Sequence, residues 1–333
     1  SSFNSGWTFH LGDIPQASDP GFNDTSWRIL NLPHDWAIEG SFSEENPSGA
    51  GGGALPGGIG WYRKTFTVGS EFKDKKVFID FDGIYMNGEV FNNGTSLGTR
   101  PYGYISFRHD LTPHLRPGEK NVIAVRVDNS EQPNSRWYSG CGIYRNVWLT
   151  VTNPVYVDLW GTYITTPQVT NEQATIAVQI NLRNELPQTA SVEITSIICN
   201  EHGGELARQT TQNVNLSQGE PAKIQQEILL NTPALWTLDN PYLYTLRTEV
   251  RLDGTLTDTY EPPFGVRTFA FDADKGFFLN GQPVKIKGVC QHHDLGSLGA
   301  AVNTRAIERQ PGILKEMGCN AIRTAHKPPA PDL

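Results

Sequence analysis

The chain has 333 residues, 38% of them apolar, and at roughly 100–200 residues per domain this length allows two or three domains. Its 27 Lys and Arg stand against 35 Asp and Glu, and the net charge of −8 argues against nucleic acid as a partner because phosphate binding needs a basic face. No segment approaches the ~18 apolar residues of a membrane helix, and none has the regions of a signal peptide, although a mature secreted chain would look the same.

Residues 1–152 contain short segments in which apolar and polar side chains alternate. The clearest of these segments cover 61–68, 76–81 and 121–127, and turn residues follow each of them. A period of two is typical of half-buried strands. Asn93 and Gly94 predict the type I′ turn of a hairpin. We therefore predict an antiparallel β-sandwich for residues 1–152.

Residues 153–265 contain a second series of strand-like segments that are separated by turns. These segments cover 155–164, 174–182, 190–198, 222–230 and 242–252. Their spacing suits an immunoglobulin-like sandwich, although the Cys-Trp-Cys hallmark of that fold is absent, so the likeness concerns architecture only. We predict a second domain over residues 153–265.

The pattern changes again in residues 266–333, which we take as a third domain. A small hairpin is predicted at 276–281, and strands are predicted at 284–289 and 319–324 with a helical segment between them. Strand, helix and strand imply parallel pairing. Because two parallel strands alone would expose both faces and both edges, we expect them to begin a larger α/β domain that continues beyond Leu333.

The helical segment between these two strands contains a proline. Asn303 or Thr304 is placed to cap a helix that runs to Met317 and is closed by Gly318. Pro311 lies inside it, where proline removes a hydrogen bond and clashes with the preceding turn at a cost of about 3 kcal/mol. We therefore expect two short helices, the second of which starts at Pro311.

Several motifs, taken together and in order, resemble glycoside hydrolase family 2, the family of β-galactosidases, β-glucuronidases and β-mannosidases. They are residues 31–36 (NLPHDW), 60–66 (GWYRKTF), 81–88 (FDGIYMNG), 137–148 (WYSGCGIYRNVW), 287–293 (KGVCQHH) and 320–326 (NAIRTAH). The resemblance covers the whole chain. Its HDW loop and its HKPPAP ending at residues 326–331 resemble β-galactosidase-type members most.

The resemblance implies a mainly β fold in three parts. Residues 1–152 would form a jelly-roll sugar-binding sandwich and residues 153–265 an immunoglobulin-like sandwich. Residues 266–333 would be the truncated start of a (β/α)8 barrel, with the first two of its strands.

The resemblance also implies a retaining exo-β-glycosidase that hydrolyses terminal β-galactosides with two carboxylates about 5–5.5 Å apart. In the family both are glutamates on later barrel strands, and the acid/base follows an asparagine. The Asn-Glu pairs of this chain, at 171–172, 184–185 and 200–201, precede the barrel and are interpreted as turn residues. We assign no catalytic residue here, expect the acid/base and the nucleophile beyond Leu333, and predict that the 333-residue chain itself is inactive.

Four residues are predicted to bind substrate. His292 and His326 follow the two barrel strands, at the mouth where barrel active sites form, and neutral imidazoles there could bond sugar hydroxyls. Asp294 could accept hydroxyl protons, and Asn134 stands where family members often carry a carboxylate. For each of them an ordinary loop or turn role stays open. Trp137 could stack on a sugar, although core packing is the favoured interpretation.

No metal site is predicted. The four Cys lie far apart, and the side chains of His292, His293 and Asp294 diverge because they are adjacent. We expect no cofactor in this chain and leave a divalent cation open for the full-length enzyme. The expected partner is a β-linked galactoside oligosaccharide or glycoconjugate, with no nucleic acid and no membrane. A homo-oligomer stays open, and the expected location is secreted or periplasmic, with the cytoplasm also open.

Two alternatives remain at this point. A stand-alone carbohydrate-binding module would explain the two sandwiches but leaves the barrel-like strands after residue 284 without a purpose. An enzyme of the same family that acts on another sugar, a β-glucuronidase or a β-mannosidase, would share every motif named above.

Overall fold

The computed structural model describes residues 1–333, and the chain divides into two compact units. One unit comprises Ser1–Val151 together with Lys287–Leu333, and the other comprises Thr152–Ile286. Strands predominate in both units. None of the helices has the length and apolar character needed to cross a bilayer.

Ser1–Val151 forms two facing sheets. The strands are β1 (Trp7–Leu11), β2 (Arg28–Leu30), β3 (Gly58–Thr67), β4 (Lys76–Phe81), β5 (Gly88–Asn92), β6 (Thr95–Arg100), β7 (Phe107–Asp110), β8 (Lys120–Asn129) and β9 (Val147–Thr152). One sheet has the order β2-β1-β3-β8-β5-β6 and is antiparallel throughout, and the other has the order β7-β4-β9. The sandwich predicted from the alternating segments is confirmed, because β3, β4 and β8 occupy them.

Burial of one face of each sheet stabilises this sandwich. Trp7, Phe81, Ile123 and Val125 are fully buried members of the core between the sheets. Each such side chain contributes about 1.5–3 kcal/mol relative to an exposed one. The predicted type I′ turn between β5 and β6 is also confirmed, since φ is +49° at Asn93 and +86° at the following glycine.

The second unit contains an immunoglobulin-like sandwich. Its strands are β10 (Val155–Val169), β11 (Gln173–Asn184), β12 (Ala190–Cys199), β13 (Glu205–Leu216), β14 (Ala222–Asn231), β15 (Tyr244–Leu252), β16 (Thr255–Tyr260) and β17 (Pro263–Phe264). They form a sheet of order β10-β11-β14 and a sheet of order β13-β12-β15-β16, with β17 also paired to β15. All five predicted strands are present. The strands β13 and β16 were not predicted, because most of their side chains are polar and show little apolar alternation.

A three-stranded hairpin completes the second unit. It consists of β18 (Phe269–Asp272), β19 (Gly276–Leu279) and β20 (Gln282–Pro283). The predicted turn is present, with φ of +50° at Asn280 and +75° at Gly281. By compactness this hairpin belongs to the Thr152–Ile286 unit.

Two parallel strands and one helix follow in the first unit: β21 (Gly288–Gln291), α1 (Thr304–Glu316) and β22 (Ala321–Thr324). The strands β21 and β22 pair in parallel, as predicted, with Gly288 opposite Ala321. The predicted strand at 284–289 begins later than expected. Val284 donates its backbone N–H to Phe277, so this part of the chain extends the hairpin and does not join the parallel pair.

The prediction of two short helices around Pro311 is wrong, because α1 runs through Pro311 without interruption. The Asn303 side chain accepts a hydrogen bond from the N–H of Ala306 at 3.0 Å and caps the helix as predicted. After the proline the backbone bonds resume, with Met317 N–H donating to Ile313 at 3.0 Å. Proline removes one hydrogen bond, and the bonded turns on either side of it persist.

We expect residues 319–324 to exchange their amide hydrogens faster than residues 121–127. The strand β22 has a single partner and only half-buried or exposed side chains, whereas β8 lies between β3 and β5 with most side chains buried. Strands with few buried contacts open at low free energy. Hydrogen exchange of the 333-residue chain, shown to be monomeric, measures both segments, and equally slow exchange would contradict this expectation.

Candidate functional site

The ends of β21 and β22 bring two histidines together. The parallel register places Gln291 opposite Thr324, and Ala325 N–H donates to the Gln291 carbonyl at 2.9 Å, so both strands end at the same level. His292 and His326 follow them, with ring centroids 5.1 Å apart at an angle of 73°. His326 is exposed, and His292 is half-buried. The two imidazoles therefore share one open edge of the parallel pair.

Trp137, from the Ser1–Val151 sandwich (called the sandwich from here on), packs against these two histidines. Its ring stacks on His326 with centroids 4.9 Å apart and an angle of 22°, and it meets His292 edge-on at 5.8 Å. Its indole N–H donates to the hydroxyl of Tyr104 at 3.1 Å. Trp137 is thus half-buried at the site, where it supports the histidines. His326 occupies one of its faces, so that face is not free to stack on a sugar.

Lys327 lies beneath this cluster and is only 8% exposed. Its Nζ is 4.9 Å from the ring centre of Tyr104 and 5.1 Å from that of Trp137, and no hydrogen-bond acceptor contacts it. Burial lowers the pKa of Lys327 to about 8, the charge of Arg145 acts in the same direction, and that of Asp294 opposes it. The ammonium is therefore held by aromatic faces without an acceptor.

His293 points away from the other two histidines, towards the sandwich. Its Nε2 lies 3.2 Å from the carbonyl oxygen of Ser139, and its ring packs against Tyr104 and Tyr144. Burial lowers the pKa of His293 to about 3, so the ring is neutral at pH 7. Because a carbonyl only accepts, we assign the proton to Nε2. No group of three or more His, Cys, Asp or Glu side chains in the chain is placed to hold a metal ion.

The other two predicted sugar ligands differ in how free they are. Asp294 is exposed beside the histidines and acts electrostatically on His292. Asn134 is also exposed, but the sandwich holds its side chain: Nδ2 donates to Asn129 Oδ1 at 2.7 Å and to the Glu131 carbonyl at 3.0 Å, and Oδ1 accepts from the Tyr85 hydroxyl at 3.0 Å. The Asn134 amide therefore has little hydrogen-bonding capacity left for a ligand.

A buried carboxylate fixes the loop that follows His292. Asp35, from the HDW motif, is 2% exposed and accepts from the backbone N–H groups of Ala37 (3.1 Å), Cys141 (2.8 Å) and Ala300 (2.9 Å). The hydroxyl of Tyr138 donates to it as well. Burial raises the pKa of Asp35, and these four donors oppose that rise. One side chain thus joins two segments of the sandwich to the loop after β21.

Two glycines make this junction possible. A Cβ on Gly299 would lie 2.4 Å from Oδ2 of Asp35, and a Cβ on Gly140 would lie 2.5 Å from the side chain of Ala300. Gly140 also has φ of +76°, which other residues rarely adopt. Both positions therefore require glycine for the loop to approach the sandwich.

Replacing Lys327 with methionine is expected to stabilise the chain at neutral pH. Because its folded pKa of about 8 lies below the ordinary 10.5, the buried charge destabilises the fold below pH 8, by up to about 3 kcal/mol. Between about pH 8 and 10.5 the folded state loses the proton first, so wild-type stability rises relative to the variant. Melting curves of both proteins from pH 6.5 to 10.5 measure the difference.

Lys73→Met is the matched control for this prediction, because Lys73 is exposed. Its difference from wild type should stay small and independent of pH. A Lys327→Met variant less stable than wild type at pH 7 would show that the aromatic contacts of the ammonium outweigh its burial.

The structure brings His292 and His326 together, and the groups that contact them carry weaker signals in the sequence. His292 and His326 were predicted from their place after two strands. Lys327 was overlooked, although a cation directly after His326 in HKPPAP was a visible signal. The role of Asp35 had no local signal, because its partner Ala300 lies 265 residues further along the chain.

Comparisons with known proteins agree with this architecture along most of the chain. The model for the sugar binding domain of glycosyl hydrolases family 2 matches residues 54–154. The model named glycosyl hydrolases family 2 matches residues 155–267, and the model for the family's TIM barrel domain matches residues 272–333. The three matches follow one another in the family's own order.

Individual relatives are similar over the full chain. It is 59% identical to the β-galactosidase BoGH2A of Bacteroides ovatus, covering all of this chain and 39% of that protein. It is 40% identical to a putative β-glucuronidase of Formosa agariphila, covering 31% of that protein. The crystal structure of a family 2 member from Bacteroides cellulosilyticus superimposes on all of the chain with a TM-score of 0.97 at 39% identity, over 44% of its own length.

The chain thus spans less than half the length of these relatives. Its two sandwiches and its paired parallel strands correspond to the successive domains of one family of enzymes. The chain belongs to glycoside hydrolase family 2.

Proposed function

We propose that this chain is the N-terminal part of a retaining exo-β-glycosidase that removes terminal β-galactosyl residues from oligosaccharides or glycoconjugates. In this proposal His292 and His326 bond hydroxyls of the terminal sugar, Asp294 lines the same edge, and Asn134 contributes from the surface of the sandwich. The acid/base and the nucleophile come from parts of the enzyme outside residues 1–333.

The observation that carries this proposal is the clustering of two imidazoles at the carboxyl ends of adjacent parallel strands. Ligands of barrel enzymes bind at that end of the strands. The ring centroids of His292 and His326 are 5.1 Å apart, and Trp137 of the sandwich packs against both. The similarity to a protein named β-galactosidase, at 59% identity, supports galactose as the sugar.

A neutral His292 suits this role. Burial lowers the pKa of His292, and the neighbouring charges of Lys327 and His326 lower it further, so the imidazole is neutral at pH 7. A neutral imidazole donates from one nitrogen and accepts at the other, which matches a sugar hydroxyl that does both. A bond that strengthens as the sugar ring flattens would lower the barrier without tightening substrate binding.

A β-glucuronidase is the second candidate. A relative 40% identical to this chain carries that name, and glucuronides differ from galactosides by a carboxylate. The buried ammonium of Lys327 and the guanidinium of Arg145 place positive charge near the histidines. A carboxylate on the substrate would be attracted by that charge.

A panel of aryl β-glycosides separates these candidates. The complete enzyme, expressed from its full reading frame, is assayed with the β-galactoside, β-glucuronide and β-mannoside. We expect the highest kcat/KM with the galactoside and no turnover by residues 1–333 alone, since both catalytic carboxylates are absent from them. A preference for the glucuronide would show that the substrate sugar is glucuronic acid. Turnover by residues 1–333 would contradict the proposal that both catalytic glutamates lie outside these residues.

Other properties of the complete enzyme stay predictions. A divalent cation is left open for the complete enzyme. A homo-oligomeric assembly and a secreted or periplasmic location also stay predictions.

A further inference from the structure

A buried guanidinium of the sandwich is bonded to the segment that carries the second histidine. Arg145 is 1% exposed, and its Nη1 donates to the carbonyl oxygens of Asp82 at 3.3 Å and Tyr104 at 3.2 Å. The same group donates to the carbonyls of Pro328 from Nη2 at 2.9 Å and Pro329 from Nη1 at 3.1 Å. Arg145 thus joins two carbonyls of the sandwich to two carbonyls that follow β22.

The segment held in this way is strained and stiff. His326 has φ of +68°, a left-handed conformation that costs a residue with a side chain about 1–2 kcal/mol. Pro328 and Pro329 have fixed φ angles, and a residue before proline, such as Lys327, is restricted to extended backbone. A displacement of the two proline carbonyls would therefore be transmitted to His326.

A second anchor holds the chain just after this segment, at Asp332. Asn146, next to Arg145 in the chain, donates from Nδ2 to the carboxylate oxygens of Asp332 at 3.1 and 3.3 Å. The hydroxyl of Thr304 donates to the same carboxylate at 2.7 Å. Consecutive residues of the sandwich thus fasten residues 328–329 and, three residues further on, Asp332.

Only arginine fits the four-carbonyl site. Its planar fork offers several N–H donors in fixed directions, whereas lysine offers one nitrogen. The sandwich leaves room for the fork, since a Cβ on Gly83 would lie 2.7 Å from Cδ of Arg145.

We propose that Arg145 is a positioning residue for the sugar site: it fastens the segment 326–329 to the sandwich and so holds His326 in its left-handed conformation. This proposal rests on the sugar-binding role of His326 proposed above. Arg145 itself does not contact the sugar and acts through His326.

A double-mutant cycle in the complete enzyme tests this. Arg145→Lys keeps the charge and should lower kcat/KM roughly tenfold. In a His326→Ala background the same change should lower kcat/KM less than twofold, because the group through which Arg145 acts is gone. The proposal would be overturned if Arg145→Lys lowered kcat/KM by the same factor in the wild-type and His326→Ala enzymes, or if it left kcat/KM of the wild-type enzyme unchanged.

Arg63→Lys is the matched control. Arg63 is 2% exposed and, like Arg145, donates to backbone carbonyls of the same sandwich, those of Ala17, Asp19 and Phe22. We expect its melting temperature to fall as that of Arg145→Lys does, while its kcat/KM stays within twofold of wild type. A tenfold loss of kcat/KM in this control would show that destabilisation alone explains the effect at Arg145.

Hydrogen exchange of the 333-residue chain gives a readout that does not depend on activity. The amide of Ala325 donates to Gln291 at 2.9 Å, and Arg145→Lys should speed its exchange at least tenfold, whereas Arg63→Lys should not. Unchanged exchange overturns the proposal even if the complete enzyme is active. Faster exchange together with a complete enzyme that cleaves no glycoside would support the role of Arg145 in holding segment 326–329 and would contradict only the proposed function.

A second variant covers the case in which Arg145→Lys does not fold. Gly83→Ala keeps the arginine but crowds its Cδ, so the guanidinium must move away from the four carbonyls. We expect Gly83→Ala to lower kcat/KM of the wild-type enzyme roughly tenfold, as Arg145→Lys does. In the His326→Ala enzyme it should have little further effect. An unchanged kcat/KM in folded Gly83→Ala would overturn the proposal.

Discussion

His326→Ala in the complete enzyme is expected to lower kcat/KM roughly 5- to 150-fold, with little change in melting temperature. Losing a hydrogen bond to a neutral sugar hydroxyl costs about 1–3 kcal/mol in the transition state, which corresponds to that range of rates. The fold should tolerate the change, because His326 is exposed. Steady-state kinetics beside a thermal melt measure both quantities.

His326→Asn is the matched control for this prediction. Asparagine adopts the left-handed conformation more readily than most residues and keeps both a donor and an acceptor, so its kcat/KM should lie between wild type and His326→Ala. A His326→Ala enzyme with near-wild-type kcat/KM and a clearly lowered melting temperature would assign the residue a structural role. The stacking of His326 on Trp137 would then be its main contribution.

Asp35→Ala is expected to destabilise the first unit by about 3 kcal/mol or more. Removing the carboxylate leaves the buried N–H groups of Ala37, Cys141 and Ala300 without their acceptor, and each buried unpaired group costs about 1–3 kcal/mol. The loop after β21 should also loosen, so the amide of Ala300 should exchange faster. Urea unfolding and hydrogen exchange of the 333-residue chain measure the two effects.

Two further variants sharpen this prediction. In Asp35→Asn the amide oxygen can still accept from two N–H groups, but its nitrogen cannot accept from Ala300, so the loss should be smaller than in Asp35→Ala. Glu308→Ala removes an exposed i, i+3 ion pair with Arg305 and should change stability by less than about 1 kcal/mol. If Asp35→Ala were as mild as Glu308→Ala, water would be replacing the carboxylate.

Short-range sequence patterns predict most of the strands and turns of the fold. The alternation in residues 121–127 and the turn at Asn93 and Gly94 depend on a few neighbouring residues, and the structure has both. The strand β13 escaped prediction because its polar side chains face solvent and its place in the sheet comes from pairing with β12. Pro311 stays within one helix because it removes only one backbone hydrogen bond, and the bonds of the turns on either side of it remain.

The sequence by itself determined the family resemblance and placed His292 and His326 at the ends of two strands, because strand order and strand ends are local features. Only the tertiary structure decided what holds them. Lys327 is buried by Tyr104 and Trp137, which lie about 190–220 residues away in the chain, and Asp35 reaches Ala300 across 265 residues. Burial and hydrogen-bond partners depend on which distant segments pack together, and no short-range pattern records that choice.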